Sequence, residues 1–465
     1  MPLKTQGAKI VDSSGNEVVL QGVNWFGFET ANHAPHGLWS RDYKEMLAQI
    51  KEQGFNTIRM PFSIQAMRSS TTSGIDYGSG RNAALAGKTP QQAMDIIIDE
   101  AGRQGLMIIL DNHSSTDDSF MSPLWYGVGG YTETDWVDNW KALSARYAAT
   151  PNVIGADLKN EPHGEATWGT GAANDWRRAA ELAGNAVLAK APHWLIFVEG
   201  IEGSVAGGQQ LDRHWWGGNL EGARNNPVRL SVANRLVYSP HEYGPGVFAQ
   251  PWFSSPNVES ILADRWQKGF GYIHEAGIAP ILIGEFGAKN VGSDTAEGRW
   301  IRQFADYLAT KGISWTFWAW NPNSGDTGGV LQDDWQTINT AKMGLLSGLM
   351  ARKSPAYQPD THEPKAPGTH EPKAPDTAPA SPKVLWKANK SSNKVTATIK
   401  PSGAVSYSLT ATRGKSRRFA SCLTVKLKGK QMMRCSVKLT NGRWKLSAVA
   451  TTAVGSSSKS QHFRL

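Results

Sequence analysis

Along the first 356 residues, short apolar runs are followed at intervals by side chains able to move protons or hold charge. Arg59 ends one run and Asp111-Asn112-His113 follows the next. Asn160-Glu161-Pro162-His163, His241-Glu242-Tyr243, Glu285-Phe286-Gly287 and Trp318-Ala319-Trp320 come after later ones. A lone strand-end glutamate is more often a salt-bridge or capping partner than a catalyst. Two glutamates with Arg, His, Asn, Tyr and Trp gathered at one rim are hard to obtain by structural accident. Two carboxyls facing each other beside flat aromatic groups meet the needs of glycosidic bond cleavage. One protonates the departing oxygen while the other attacks the anomeric carbon or activates water. Glu161 and Glu285 are that pair. A separation of about 5 Å gives retention and one of roughly 6.5–9.5 Å inversion, and spacing in the sequence leaves both open.

The elements that must position these groups are legible as apolar, β-branched runs at Val18–Val23, Thr57–Met60, Leu106–Leu110, Val153–Leu158, Trp194–Val198, Leu236–Ser239, Pro280–Gly284 and Ser314–Phe317. Between them lie amphipathic stretches. Arg41–Gln53 is ended by Gly54, and Gln91–Gln104 is entered through Thr89-Pro90, an N-cap followed by proline at the first helical position. Asp175–Lys190 and Trp300–Thr310 read the same way. Near-continuous apolar strands are those of a parallel sheet buried on both faces. Eight β-then-α units predict a (β/α)8 TIM barrel over residues 1–356, with reactive groups at the C-terminal ends of the strands. An open Rossmann-type sheet would carry a Gly-rich phosphate loop where this chain has Asn24-Trp25-Phe26-Gly27. In the barrel, strands four and seven face each other, so Glu161 and Glu285 can converge across its mouth.

Composition divides the chain further. The net charge of +9 over 465 residues hides a basic end: residues 383–465 hold 18 Lys and Arg and no acid, which leaves −9 on residues 1–382. A nucleic-acid-seeking surface is therefore the wrong reading of the whole, and no apolar window is long enough to span a bilayer. Of 19 tryptophans, 17 precede residue 383, where they serve either as core or as platforms for sugar rings. Residues 357–382 form a Pro/Thr-rich linker with the duplicated segment Thr361-His362-Glu363-Pro364-Lys365-Ala366-Pro367, either a semi-rigid spacer or an inert tether. Short alternating runs at Val395–Ile399, Ser406–Thr410, Leu423–Leu427 and Leu446–Val449 predict a small all-β, sandwich-like domain over 383–465. It contains both cysteines, Cys422 and Cys435, spaced for a disulfide across a hairpin or left as two thiols.

At these residues the chain resembles the bacterial endo-β-1,4-glucanases (cellulases) of glycoside hydrolase family 5, over about residues 8–352. The likeness is carried by Gly22-Val23-Asn24-Trp25-Phe26-Gly27-Phe28-Glu29-Thr30, His36-Gly37-Leu38-Trp39, Asn56-Thr57-Ile58-Arg59 and Asn160-Glu161-Pro162. Trp215-Trp216-Gly217-Gly218-Asn219-Leu220, Gly284-Glu285-Phe286-Gly287, Trp315-Thr316-Phe317-Trp318 and Ser324-Gly325-Asp326-Thr327-Gly328-Gly329 complete it. The resemblance implies a retaining double displacement with Glu161 as acid/base and Glu285 as nucleophile. It implies that Asn160 holds the sugar 2-hydroxyl and that Arg59 and Tyr243 hydrogen-bond the nucleophile. His113 and His241 become rim histidines, one on the substrate and one supporting the acid/base. Trp318 becomes the platform at the cleavage subsite, with Trp39 and Trp216 further along. A cation beside Glu285 should keep it ionised, and that charge should raise Glu161 and keep it protonated.

The expected substrate is a β-1,4-glucan. The same mechanism on mannan, xylan or chitosan is the nearest rival, and a noncatalytic carbohydrate-binding or adhesion protein is the rival of another class. No cofactor or metal is expected, since two carboxyls suffice for the chemistry. The basic end is expected to bind insoluble polysaccharide or an anionic surface. The N-terminal Met1-Pro2-Leu3-Lys4-Thr5 lacks a secretory apolar run, so the protein is either cytoplasmic or begins at a mature boundary, and the spacer argues for the second: a secreted protein whose leader is removed or omitted, expected to be a monomer.

Overall fold

The computed structural model describes residues 2–118 and 120–350 with their side chains and, between 383 and 464, the backbone of eight further strands. The chain divides into two units, Met1–Thr361 and His362–Leu465. In the first, eight parallel strands run in chain order: β1 (Gln21–Asn24), β2 (Thr57–Ser63), β3 (Met107–Ser114), β4 (Val153–Asp157), β5 (Leu195–Val198), β6 (Leu236–Tyr238), β7 (Leu282–Ile283) and β8 (Ser314–Phe317). β8 pairs with both β1 and β7, and a parallel bridge from Tyr238 to Ile281 closes the ring. This is the barrel that the run of apolar segments predicts.

The helices that return the chain are α1 (Tyr43–Glu52), α2 (Pro90–Arg103), α3 (Glu133–Tyr147), α4 (Trp176–Leu188), α5 (Val258–Trp266), α6 (Ala296–Lys311) and α7 (Thr340–Leu349). Thr89 caps α2 in a capping box with Gln92, and Pro90 fills the first helical position, as the sequence predicts. Asp175 caps α4 by accepting from Arg178 N. α1 starts two residues later than the amphipathic pattern, because the Asp42 side chain takes the cap by accepting from Lys44 N. A large apolar layer, with Trp136, Trp140, Trp176, Trp266 and Trp315 fully enclosed, seals helices against sheet.

Side chains on alternate positions of the strands point into the barrel. At its base these are Leu20, Met107, Ile109, Leu195, Phe197, Val237 and Leu282, closed off by Leu3 and Ile10 of the N-terminal ribbon. Two residues further along the same inward rows the chemistry changes, to Asp111 and His113 on β3, Glu199 after β5, and Ser239 and His241 after β6. The barrel is thus apolar below and charged at its mouth. Gly155 makes the close packing possible: a Cβ there would stand 2.3 Å from the Leu195 carbonyl and 2.7 Å from the Phe197 ring.

In the second unit, Lys383–Asn389, Lys394–Lys400, Lys430–Lys438 and Ser421–Leu427 form one antiparallel sheet in that order. Ser416–Phe419, Ser406–Arg413, Arg443–Thr452 and Gly455–Arg464 form another. The alternating runs read from the sequence fall within four of these strands. Cys422 stands opposite Cys435 in the register, although their side chains, like the linker 357–382, lie outside the described residues.

Gly155→Ala is expected to cost about 1–3 kcal/mol of stability by overpacking, read as a lower urea midpoint. An unchanged midpoint would mean that the barrel interior is loose at this level.

Candidate active site

β2 continues past Met60 to Ser63, so Arg59 lies within the strand rather than at its end, as the sequence reading had it. Its inward position carries the guanidinium to the centre of the barrel mouth, fully enclosed. Nε donates to Asp157 (2.8 Å), and Nη1 to Glu285 (2.7 Å) and Asn24 (3.0 Å). Nη2 donates to Asn160 (2.9 Å) and Glu199 (3.2 Å) and lies 3.1 Å from Asp111. Asp111, Asp157 and Glu199 are as deeply enclosed as Arg59 itself. An unpaired charge at such depth would be prohibitive; the planar fork of donors is what lets one cation serve several strands at once.

Glu285 accepts at both oxygens, Oε1 from Arg59 and Oε2 from the Tyr243 hydroxyl (2.7 Å). Opposite it, Glu161 Oε1 lies 3.1 Å from His241 Nδ1. A carboxyl oxygen of Glu161, one of Glu285 and a ring nitrogen of His241 all lie within 4.8 Å of one another. The two acids therefore converge at the short separation of a double displacement, not across the gap that holds a water between them. Glu161 reaches this position from a left-handed backbone conformation (φ 51°), one that costs a non-glycine residue about 1–3 kcal/mol.

Burial alone would lower the pKa of His241, but Glu199, Glu285 and Glu161 outweigh it and hold the ring well above the usual imidazole range. His241 is fully buried, beneath the rim rather than on it. Burial would raise Glu161, yet the bond to His241 and the charges of His241, His113 and His163 prevail and leave it lowered. This runs against the expectation that Glu161 is raised: the His241 ring beside its carboxyl holds it down. Asp157 is pushed well above the carboxylate range, by burial first and then by Glu199 and Asp111 against Arg59. Buried Lys159, whose Nζ donates to the Asn160 carbonyl, falls to about 8, by burial against four surrounding acids.

Above these groups opens a cavity of about 450 Å³, lined among others by His113, Met121, Glu161, Trp216, Tyr243, Phe248, Glu285 and Trp318. Trp318 stacks parallel to both His113 and Phe26. His113 lies 4.0 Å from Glu285 and holds Asp111 through Nδ1 at 2.8 Å, a contact that helps raise its pKa against burial. Asn160 spends its oxygen on Arg59 and donates through Nδ2 to the Met121 sulfur (3.3 Å). Trp216 is 39 % exposed and lies flat on His163 at 3.7 Å. Trp39, 40 % exposed, is outside the cavity lining: it abuts Trp335 and His36 and continues the aromatic row from Trp318 and Phe26.

The sequence reading missed Asp157 and Glu199 as parts of the site, and quoted Asp111 and His163 at strand ends without giving them a role. Glu199 directly follows an apolar strand just as Asp111 does, so the same strand-end rule would have found it. Asp111-His113-Glu285 and Glu161-His241-Glu285 each come within ligand spacing of a metal ion. In both, the histidine nitrogen is already within hydrogen-bond distance of a carboxylate.

Residues 11–324 match the family model for cellulase, glycosyl hydrolase family 5. The chain is 50 % identical to an endoglucanase of Paenibacillus polymyxa over 348 residues, 74 % of this chain and 86 % of that protein. It is 47 % identical to the major extracellular endoglucanase of Xanthomonas campestris pv. campestris, over 73 % of this chain and 69 % of that one. The solved catalytic domain of the Xanthomonas enzyme superposes with a TM-score of 0.71 at 44 % identity, covering 75 % of this chain and all of that domain.

His241 carries a folded-state pKa above its unfolded value of about 6.5. The stability it contributes is therefore complete below that value and is lost as the pH rises through the folded one. The gap in unfolding free energy between the wild type and His241→Asn should be widest below about pH 6 and narrow on the alkaline side, as urea titrations at a series of pH values will show. A gap that widens with pH would mean that the ring is buried neutral.

Proposed function

Because the chain belongs to glycosyl hydrolase family 5, we propose that Glu161 and Glu285 are the acid/base and the nucleophile of its reaction. The protein is an endo-acting β-1,4-glucanase that cleaves internal bonds of cellulose and β-glucan with retention. The observation that carries the assignment of roles is the convergence of the two carboxyls within 4.8 Å, one bonded to Arg59 and Tyr243, the other to His241. The acid held by two donors and denied a proton partner is the one fitted to attack carbon. The acid bonded to a protonated imidazole is the one fitted to give and take a proton.

Glu285 attacks the anomeric carbon while Glu161 delivers to the departing oxygen the proton it shares with His241. The covalent glycosyl ester is then opened by a water that Glu161 deprotonates. Arg59 and Tyr243 orient the attacking oxygens, and Asn160 fixes the 2-hydroxyl beside them. Trp318, flat on His113, supports the sugar being cleaved, and Trp216 and Trp39 support rings on either side of it. The family gives the donors of this constellation no need of a cofactor.

The protein acts as a secreted monomer: the Xanthomonas relative is named as extracellular, and among the described residues no helix is long and apolar enough to cross a membrane. The 18 positive charges and absent acids of residues 383–465 make that unit an attachment module for insoluble polysaccharide or an anionic surface, tethered by 357–382 and cross-linked between Cys422 and Cys435.

Glu285→Gln and Glu161→Gln should each lose at least about a hundredfold in rate on carboxymethylcellulose. Reducing-end release from mannan, xylan and chitosan should be minor beside that from β-glucan. Retention of rate in either variant, or a preference for another chain, defeats the assignment. Deleting residues 357–465 should spare hydrolysis of soluble substrate and abolish pull-down on insoluble or anionic carriers; loss of both would make the basic unit part of the catalytic body.

A further inference from the structure

Glu199 belongs to no part of the constellation above, yet it touches three members of it. Oε2 accepts from the Glu161 backbone N–H at 2.6 Å. Oε1 accepts from Arg59 Nη2 at 3.2 Å and stands 3.2 Å from His241 Nε2. His241 in turn reaches Glu161 Oε1 through its other nitrogen. One buried carboxylate therefore grips the acid/base twice, by its main chain directly and by its side chain through the imidazole.

The placement is built, not incidental. The Glu199 carbonyl accepts from the enclosed Trp176 indole at 2.8 Å, and Gly200 N donates to Gly217 O at 2.7 Å. Gly217 roofs the carboxylate: a Cβ there would lie 2.2 Å from Glu199 Oε2 and 3.3 Å from the Glu161 Cα, and its own φ is +69°. With no exposed surface, Glu199 has no path to a substrate, so its action must pass through others. What it holds is costly to hold otherwise. Glu161 sits in the left-handed region, and the Glu199 bond to its N–H ties down that conformation.

We propose that Glu199 is a positioning residue for proton transfer: it pins the strained backbone of Glu161 and keeps the His241 imidazolium charged and aimed, so that one proton is available to the leaving group. The inference rests on Glu161 being the acid/base. The charged groups facing this carboxylate–imidazole–carboxylate line are Arg59 from β2, Asp111 and His113 from β3, Asp157, Lys159 and Glu161 from β4 and the loop after it, and Glu285 after β7. Arg59 stays paired with Asp111, Asp157 and Glu285 when Glu199 is neutralised. His241 does not: it loses the anion at Nε2.

The test is Glu199→Gln in the full-length chain, with kcat/KM followed against pH on a cello-oligosaccharide and on a dinitrophenyl cellobioside, whose phenolate leaves without a proton. Removal of an anion beside the pair lowers the pKa at which it gives up its proton, so the alkaline limb should move toward acid. The cello-oligosaccharide rate should fall about 10–100-fold and the dinitrophenyl rate by less than about threefold. Glu199→Asp, which keeps the charge, should restore the alkaline limb. Equal losses on the two substrates with an unmoved limb would reduce Glu199 to a purely structural residue and overturn the proposal. Should the variant not fold, ¹⁵N spectra of His241 in the wild type decide: N–H at both ring nitrogens at neutral pH supports the line, and a bare Nε2 overturns it. Glu161→Gln runs alongside, because only a protein in which that change selectively spares the dinitrophenyl substrate has the acid/base on which the proposal rests.

Discussion

One buried guanidinium organises this active site. Arg59 has no contact with water, and its five N–H groups are shared among Asn24, Asp111, Asp157, Asn160, Glu199 and Glu285, which come from five different strands or the residues just after them. Burying a charge demands partners, and partners of this number are found only where inward rows of all strands meet. Glu285, the proposed nucleophile, is consequently placed by the same interaction that ties the barrel together at its mouth. A lysine could not replace it, because a point charge on a flexible stem does not hold acceptors in a plane.

Around that centre the charges nearly cancel. Five acids, Asp111, Asp157, Glu161, Glu199 and Glu285, lie against Arg59, His113, His241 and Lys159, and Asp157 is pushed well above the carboxylate range by burial and by its acidic neighbours. The balance is of the kind that lets a proton move cheaply between two groups: shifting it from His241 to Glu161 changes neither the net charge of the cluster nor its partners. This is why a lowered Glu161 is compatible with the acid role proposed for it. In the proposed mechanism, a sugar bound over His113 and Trp318 displaces water from the carboxylate, weakening the charged form of Glu161 as the leaving oxygen arrives to take the proton.

Much of this was legible in the chain. All eight strands overlap apolar runs read from the sequence, because the lower part of a strand buried on both faces is largely apolar; β2 and β3 run on past those runs, to Ser63 and Ser114. Thr89-Pro90 and Asp175 marked helix starts through the same cap chemistry that the structure uses. The mouth residues Glu161, Glu285, His113, Asn160, His241, Tyr243 and Trp318 do gather around one cavity or the network beneath it, since each follows or ends a strand. Asp157 escaped notice for a physical reason; Glu199 stands where the strand-end rule looks, but its partners are as hidden in the sequence as those of Asp157. An acid whose partners come from strands some 40 to 140 positions away looks, in one dimension, like any surface acid. Trp39 was legible as an aromatic on the rim but not in its distance from the cleavage point, which loop conformation decides.

The same geometry explains why the platform loop and the acid/base cannot vary independently. Trp216 rests on His163, whose Nδ1 lies 2.7 Å from the Glu161 carbonyl, while the next residue, Gly217, roofs Glu199 and donates its N–H to the Pro162 carbonyl. A sugar ring stacked on Trp216 therefore presses on a short covalent and hydrogen-bonded path that ends at the Glu161 backbone. Strain at φ 51° persists only where the surroundings over-determine it, and here it is held from three sides, by Glu199 at the N–H, His163 at the carbonyl and His241 at the carboxylate. Placement of the proton donor and recognition of the adjoining sugar are thus two readings of one loop, and any side chain larger than hydrogen at position 217 would disturb both together.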